Sequence, residues 1–163
     1  STRALLVEAV DGEWLQVLLP TRPNGSTGWI RGDLVELRRV DEAVVVDLEA
    51  RTLTVTVAGE VVLETPVAVG TPDSPTPRGR FSIVDKLSTG TPDGPYGPFA
   101  FGLSGHSDVL TEFAGGDGQI GIHGTDDPTS IGAAASHGCV RVPNEVAVLL
   151  DDLLPLGTPV TIL

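Results

Sequence analysis

Between Ile122 and Val142 the sequence reads IHGTDDPTSIGAAASHGCVRV, which gathers two of the three histidines, the only cysteine and Arg141. A thiol with a reference pKa of about 8.5 is mostly un-ionised at neutral pH. A nucleophilic cysteine therefore needs a base to take its proton or a cation to favour its anion. His137, two residues before Cys139, and His123, at the far end of the stretch, are candidate bases, and Arg141 is the candidate cation. Spacing alone does not choose between the two histidines. Ser136-His137-Gly138-Cys139 passes through glycine into Val140-Arg141-Val142, which alternates like the start of a strand. Such a bend can turn backbone N–H groups toward a developing oxyanion. Candidates for nucleophile, base and oxyanion donors are thus all present within this one stretch.

Other uses of the same residues are weaker. A free cysteine is often a small buried hydrophobe, but the neighbours His137, Gly138 and Arg141 weaken that reading here. His123, His137 and Cys139 are zinc-ligand types, yet only Asp126 and Asp127 are at hand as a fourth ligand, neither at a usual spacing. No metal and no cofactor is expected. A papain-like peptidase commonly has its cysteine before its histidine, the reverse of the order here, although order does not exclude convergent chemistry. His106, in LSGHSD, reads as a loop residue. Tyr96, Phe99 and Phe113 border Gly/Pro-rich segments and could line a cover over the cleft, although Phe99 and Phe101 read better as core. Asp117, Asp126 and Asp127 read as solvated turn residues.

The elements that must position these groups are mostly strands. Val44–Leu48, Leu53–Val57 and Val61–Val69 alternate or run apolar, with Ala58-Gly59-Glu60 as a hairpin turn. Gly70–Gly79 holds three prolines, so it is an ordered loop and no central strand. Arg80–Val84, Phe99–Leu103 and Gln119–Ile122 are further strands, and Ser88–Pro98 is a loop. Asn144–Leu154 is the one good helix, with Val146, Leu149, Leu150, Leu153 and Leu154 at helical spacing and Asn144 as its N-cap. Val160–Leu163 closes the chain as a strand. Upstream, Ala4–Val10, Trp14–Leu19, Trp29-Ile30 and Leu34–Leu37 are short apolar segments broken by Asp11-Gly12 and by a loop with Asn24-Gly25. They read as strands of a partial small β-barrel or, equally, as an N-terminal β extension packed on the main domain.

His123-Gly124-Thr125 followed by Ser136-His137-Gly138-Cys139-Val140-Arg141 strongly resembles the active-site signature of bacterial L,D-transpeptidases. Ala68-Val69-Gly70, the run PTPRGRF from Pro75 to Phe81 and the closing helix and strand are similar to that family's catalytic domain as well. Many members carry Asn where Arg141 stands. The resemblance implies a mainly β fold, an L,D-transpeptidase-type β-sandwich with one or two short helices. It also implies two units: a partial SH3-like β segment over 1–40, where WLQVLLPTRPNGSTGWI resembles segments that precede cell-wall enzymes, and a catalytic domain over 42–163.

By the same resemblance Cys139 is the nucleophile that attacks the L-centre carbonyl of a peptidoglycan stem peptide. His123 is the proton acceptor and donor, with the Gly124 carbonyl fixing its ring. Gly138 and Cys139 supply oxyanion N–H groups, His137 shapes the pocket, and Ser136 and Arg141 hold the loop. Transfer to an acceptor amine makes a cross-link; transfer to water makes an L,D-carboxypeptidase. Carbapenem-type β-lactams are implied as covalent inhibitors, and an extracytoplasmic, cell-envelope location follows. The rival from another class is a non-catalytic wall-binding protein.

Composition narrows the partners. With 10 basic and 22 acidic residues the formal charge is −12, which repels phosphate backbones, so no nucleic-acid partner is expected. Substrate must instead be held by local positive groups, for which Arg141, Arg78 and Arg80 are the candidates, with Tyr96 as a further contact. No apolar run approaches the ~20 residues of a membrane span. The chain contains no methionine, as a processed chain would, and a signal or anchor would then precede Ser1.

Overall fold

The computed structural model describes residues 3–112 and 115–163. Phe113 lies outside the described residues. At the N-terminal end β1 (Val7–Asp11), β2 (Trp14–Leu18) and β3 (Thr27–Arg31) form a three-stranded antiparallel sheet. Gly12 turns the first hairpin at φ +57, a conformation that a Cβ would strain. Leu15, Val17 and Leu18 are buried in this unit and stand outside the main core. The expected strand Leu34–Leu37 does not form. The chain makes a short 3-10 turn over Gly32–Leu34 and then runs on without regular structure, with Leu34, Val35 and Leu37 exposed. A strand needs a neighbour for its backbone hydrogen bonds, and none pairs with it among the described residues.

From residue 42 onward the elements are β4 (Glu42–Asp47), β5 (Thr52–Val57), β6 (Glu60–Pro66), β7 (Val69–Gly70), β8 (Gly79–Ser88), β9 (Phe99–His106), β10 (Gln119–His123), β11 (Ala134–Ser136), β12 (Val140–Arg141), α1 (Asn144–Leu153) and β13 (Pro159–Ile162). Eight of these strands make one mixed sheet in the order β12-β10-β9-β8-β13-β4-β5-β6, while β7 and β11 pair separately. The C-terminal strand β13 lies in the middle, parallel to β4 and antiparallel to β8, and so joins the two halves of the sheet.

Alternation sends Val44, Val46, Leu53 and Val55 from one half and Ile83, Phe101, Leu103 and Ile122 from the other into a single buried cluster. One sheet therefore curls around one core. Helix α1 adds Val146, Ala147 and Leu150 to that core. Leu149, read as part of the buried stripe, is instead 53% exposed. The mainly β architecture is as expected. β8 and β9 run longer than their apolar cores, because pairing with each other carries polar residues such as Lys86 and Ser88 into the ladder.

Candidate active site

The site is built on the parallel pair β10 and β12, where Ile122 faces Val140 and His123 faces Arg141. Ile122 and Val140 are committed to the core, so strand alternation sets Gly121 and His123, and across from them Cys139 and Arg141, on the opposite face. His123, Cys139 and Arg141 open onto a cleft of about 240 Å³, also lined by Tyr96, Ser107, Leu110, Gln119, Ser136 and His137. Gly121, which the sequence reading did not single out, has to be glycine: a Cβ there would stand 2.7 Å from the Phe101 carbonyl oxygen.

His123 is only 6% exposed. Its Nδ1 lies 2.5 Å from the Gly124 carbonyl oxygen. A carbonyl can only accept, so the proton of the neutral ring sits on Nδ1 and the lone pair on Nε2. Burial lowers the pKa from 6.5 to about 4, against the Gly124 bond that raises it; the Arg141 charge lowers it further. The ring is neutral at pH 7. Cys139 keeps partial access to solvent. Burial among protein atoms nevertheless pushes its thiol upward, and the Gly121 backbone amide and Arg141 pull the other way without cancelling it. Arg141 thus favours the thiolate, as its type and spacing suggested, and burial outweighs it. The resting pair is neutral thiol and neutral imidazole.

The loop that carries Cys139 is tied from within and from behind. Buried Ser136 donates its hydroxyl to the Cys139 carbonyl at 2.5 Å and accepts the Gly138 N–H at 3.1 Å. The Gly138 N–H is therefore engaged within the loop and does not face an oxyanion as expected. The Cys139 N–H has no acceptor among the described residues. Gly138 itself takes φ +119, a region closed to most side chains. Behind the loop, the Thr71 N–H donates to the Ser136 carbonyl at 3.0 Å and the Ser74 hydroxyl to the His137 carbonyl at 2.8 Å. The proline-rich loop is ordered because it does this bracing. Ala68 and Arg141 exchange both backbone bonds at 2.9 Å, which fixes the chain two residues after Cys139. His137 is exposed and lines the cleft.

Asn144 is the positioning residue that the sequence reading placed wrongly. It does not cap α1, whose N-cap is Pro143. Its amide oxygen accepts the Thr125 N–H at 2.7 Å and its amide nitrogen donates to the Pro92 carbonyl at 3.3 Å. One side chain thereby holds the His123-Gly124-Thr125 turn against the 92–97 loop. Gly97 and Gly124 leave room for it, since a Cβ on either would stand 2.3 Å from the Asn144 oxygen. That loop delivers Tyr96, whose ring meets His123 edge-on at 4.9 Å.

Arg78 and Arg80 do not reach the cleft. Arg78 lies 4.0 Å from Glu49 and Arg80 2.9 Å from Glu8, both at the surface. Their position on the outer end of the loop and at the start of β8 turns them toward acidic neighbours instead. His106 is not a loop residue: it ends β9, is 5% exposed, and places Nε2 3.0 Å from Asp117. Asp127 caps a 3-10 turn through the Thr129 N–H at 3.1 Å. Among the described residues no three His, Cys, Asp or Glu side chains are arranged to hold a metal ion.

Comparison with known proteins meets this geometry. The family model of the YkuD L,D-transpeptidase catalytic domain matches residues 41–162. The chain belongs to that family. It is 36% identical over 119 residues to the Bacillus subtilis family member YkuD, covering 73% of this chain and 64% of that protein. The chain thus spans less than two thirds of that relative. Among solved structures it resembles a cysteine-to-serine mutant of Enterococcus faecium L,D-transpeptidase, at TM-score 0.57 and 28% identity, over 86% of this chain and 54% of that one. It also resembles the Ldtfm–avibactam carbamoyl enzyme, at TM-score 0.58 and 27% identity, over 80% and 50% of the two chains.

Proposed function

We propose that this chain is a peptidoglycan L,D-transpeptidase, with residues 42–163 as its catalytic domain and 1–40 as a partial SH3-like segment. The observation that carries the reading is Cys139 and His123 set on one face of adjoining strands, with the Nδ1 of His123 tied to Gly124 so that Nε2 is the basic nitrogen. A neutral thiol is a poor nucleophile, so attack and proton transfer are coupled. Cys139 Sγ bonds to the L-centre carbonyl carbon of a stem peptide as its proton passes to His123 Nε2. The carbonyl oxygen becomes an oxyanion, and the Cys139 N–H is the loop donor not already engaged.

Collapse breaks the C–N bond, and His123 returns the proton to the departing amine of the D-amino acid. An imidazolium whose pKa is about 4 gives up that proton readily. An acceptor amine on a second stem then attacks the thioester; its proton returns through His123 to sulfur, leaving a new amide and a free thiol. His137 shapes the rim, Tyr96 and Arg141 contact substrate, and the cell envelope outside the membrane is where the stem peptides are met. The resemblance to the avibactam carbamoyl enzyme supports covalent capture of an electrophilic carbonyl at Cys139 here, and carbapenem-type β-lactams are the covalent inhibitors this reading calls for.

The test is intact mass after incubation with a carbapenem and, separately, with a tetrapeptide stem and an amine acceptor. A single adduct on Cys139 and a cross-linked product support the proposal. An adduct elsewhere, or no turnover of the stem, overturns it, and a free tripeptide alone assigns the L,D-carboxypeptidase activity.

A further inference from the structure

Part of the cleft lining comes from the two ends of the connection between β9 and β10, through Ser107, Leu110 and Gly118. What holds those ends is a residue from the N-terminal unit. Arg22 donates from Nη1 to the Asp117 carbonyl at 2.7 Å and from Nη2 to the Ser107 and Leu110 carbonyls at 3.2 and 3.1 Å. One planar guanidinium therefore ties the start of the connection to its end. Next to it, Asn24 accepts the His106 N–H and donates to the His106 carbonyl, both at 2.8 Å, as a strand neighbour would.

In a chain with 22 acidic residues, Arg22 turns its fork on three backbone carbonyls. A planar donor fork is what such convergence requires, and a lysine ammonium does not reproduce it. The packing is close enough that a Cβ on Gly118 would stand 2.0 Å from the Leu110 carbonyl oxygen and 2.9 Å from Arg22 Nη2. Within the connection, the Ser107 hydroxyl accepts the Leu110 N–H at 3.0 Å and the Ser107 N–H donates to Gly118 at 2.8 Å. These short-range bonds, with His106 Nε2 3.0 Å from Asp117, close the loop, and the Arg22 fork is what ties it to the N-terminal unit.

We infer that Arg22 is a positioning residue for substrate: the N-terminal β unit, through its 21–26 loop, sets the distance between the Leu110 wall and the Cys139 wall. The substrate class rests on the transpeptidase reading; the mechanical link does not. Loss of the fork should loosen the wall and weaken the fit of an extended peptide, without altering the thiol or its base.

The experiment compares Arg22→Ala and Arg22→Lys with the wild type in the full chain. The expected result is a KM for stem peptide raised about tenfold or more, the scale of one or two hydrogen bonds lost from the fit, with kcat within about twofold. Alkylation of Cys139 by iodoacetamide, which needs no peptide fit, keeps its rate and pH profile. Hydrogen exchange at the Ser107 and Leu110 amides speeds up in both variants. Should Arg22→Ala not fold, Arg22→Lys carries the test. Unchanged exchange at these amides, or an unchanged KM, overturns the inference, as does a fall in kcat at constant KM. A wild type that fails to turn over stem peptide overturns the transpeptidase reading instead, and exchange then decides the link alone.

Discussion

The two walls of the cleft are built on different principles. On one side His123, Cys139 and Arg141 are placed by a strand ladder whose other face is the hydrophobic core, so moving them means moving Ile122 and Val140. On the other side Ser107, Leu110 and Gly118 are placed by polar side chains reaching across 85 to 95 positions of sequence from Arg22. The first wall has its geometry enforced by apolar burial, which is costly to undo. The second depends on a few hydrogen bonds, each worth about 1 kcal/mol net. On the proposed reading, chemistry sits on the first wall and substrate fit on the second.

That contrast can be broken most sharply at the nucleophile. Cys139→Ser should abolish acyl-enzyme formation, since an alcohol is far less acidic than a thiol and His123 is matched to the latter. Its melting temperature should stay close to wild type because the change is nearly isosteric. Intact mass and a thermal melt check both halves, and adduct retained on another residue would move the site. Next in size, His123→Ala should slow acylation by about 10²–10⁴-fold, the range of a positioned general base. Stopped-flow acylation of this variant beside His137→Ala assigns the base. A loss confined to His137→Ala would transfer the role to the exposed histidine.

A third outcome follows from the burial of His123. The unfolded chain takes up a proton on this ring below pH 6.5, whereas the folded chain does so only near 4. Its contribution to stability is therefore fully present above about 6.5 and is lost as the pH falls toward 4, on the order of 3 kcal/mol. Urea unfolding of wild type and His123→Gln across that window should show the extra acid loss in the wild type alone. The acylation rate should keep its acid limb near 4; a limb near 6.5 would mean an exposed base.

Ser136→Ala leaves the Gly138 N–H and the Cys139 carbonyl without their shared partner. A cost of about 1–3 kcal/mol is expected, together with slower acylation, read by melting and mass kinetics. The smallest effect belongs to Arg141→Ala. Removing the cation lets the His123 pKa rise and the Cys139 pKa rise further, so thiol alkylation should shift to higher pH and acylation fall by under about tenfold, as burial is the larger cause at both groups. An unchanged alkylation profile would leave Arg141 a strand residue whose part is its backbone pairing with Ala68.

Much of the rigid wall was legible in the residues. Alternation located β4, β5, β9 and β10 to within a few positions, the Asp11-Gly12 and Ala58-Gly59 turns formed where expected, the second with Ala58 itself at φ +50, and the reactive cluster is where the cleft opens. The misses have a common cause. Asn144 reads locally as a helix cap, but its best donor and acceptor lie on two distant loops, Thr125 and Pro92. Arg78 and Arg80 read as a positive spot because an acidic chain needs local cations to hold substrate and they stand in the proline-rich loop. The same loop turns their side chains outward to Glu49 and Glu8. His106 read as a loop residue because Gly105 and Ser107 flank it, and pairing with β10 draws it into the sheet instead.

By itself, the sequence determined the reactive residue types, the strand alternation that gives each half of the sheet an apolar face, and the glycines at turns that only glycine takes. All of these are encoded within a few positions, where spacing dictates direction. The tertiary structure decided what needs partners far along the chain. It placed β13 between β4 and β8, engaged the Gly138 N–H with Ser136, buried His123 deeply enough to keep it neutral, and set Arg22 against the opposite wall. Burial and hydrogen-bond pairing are properties of three-dimensional neighbours, and those neighbours exist only once the sheet has closed on its core.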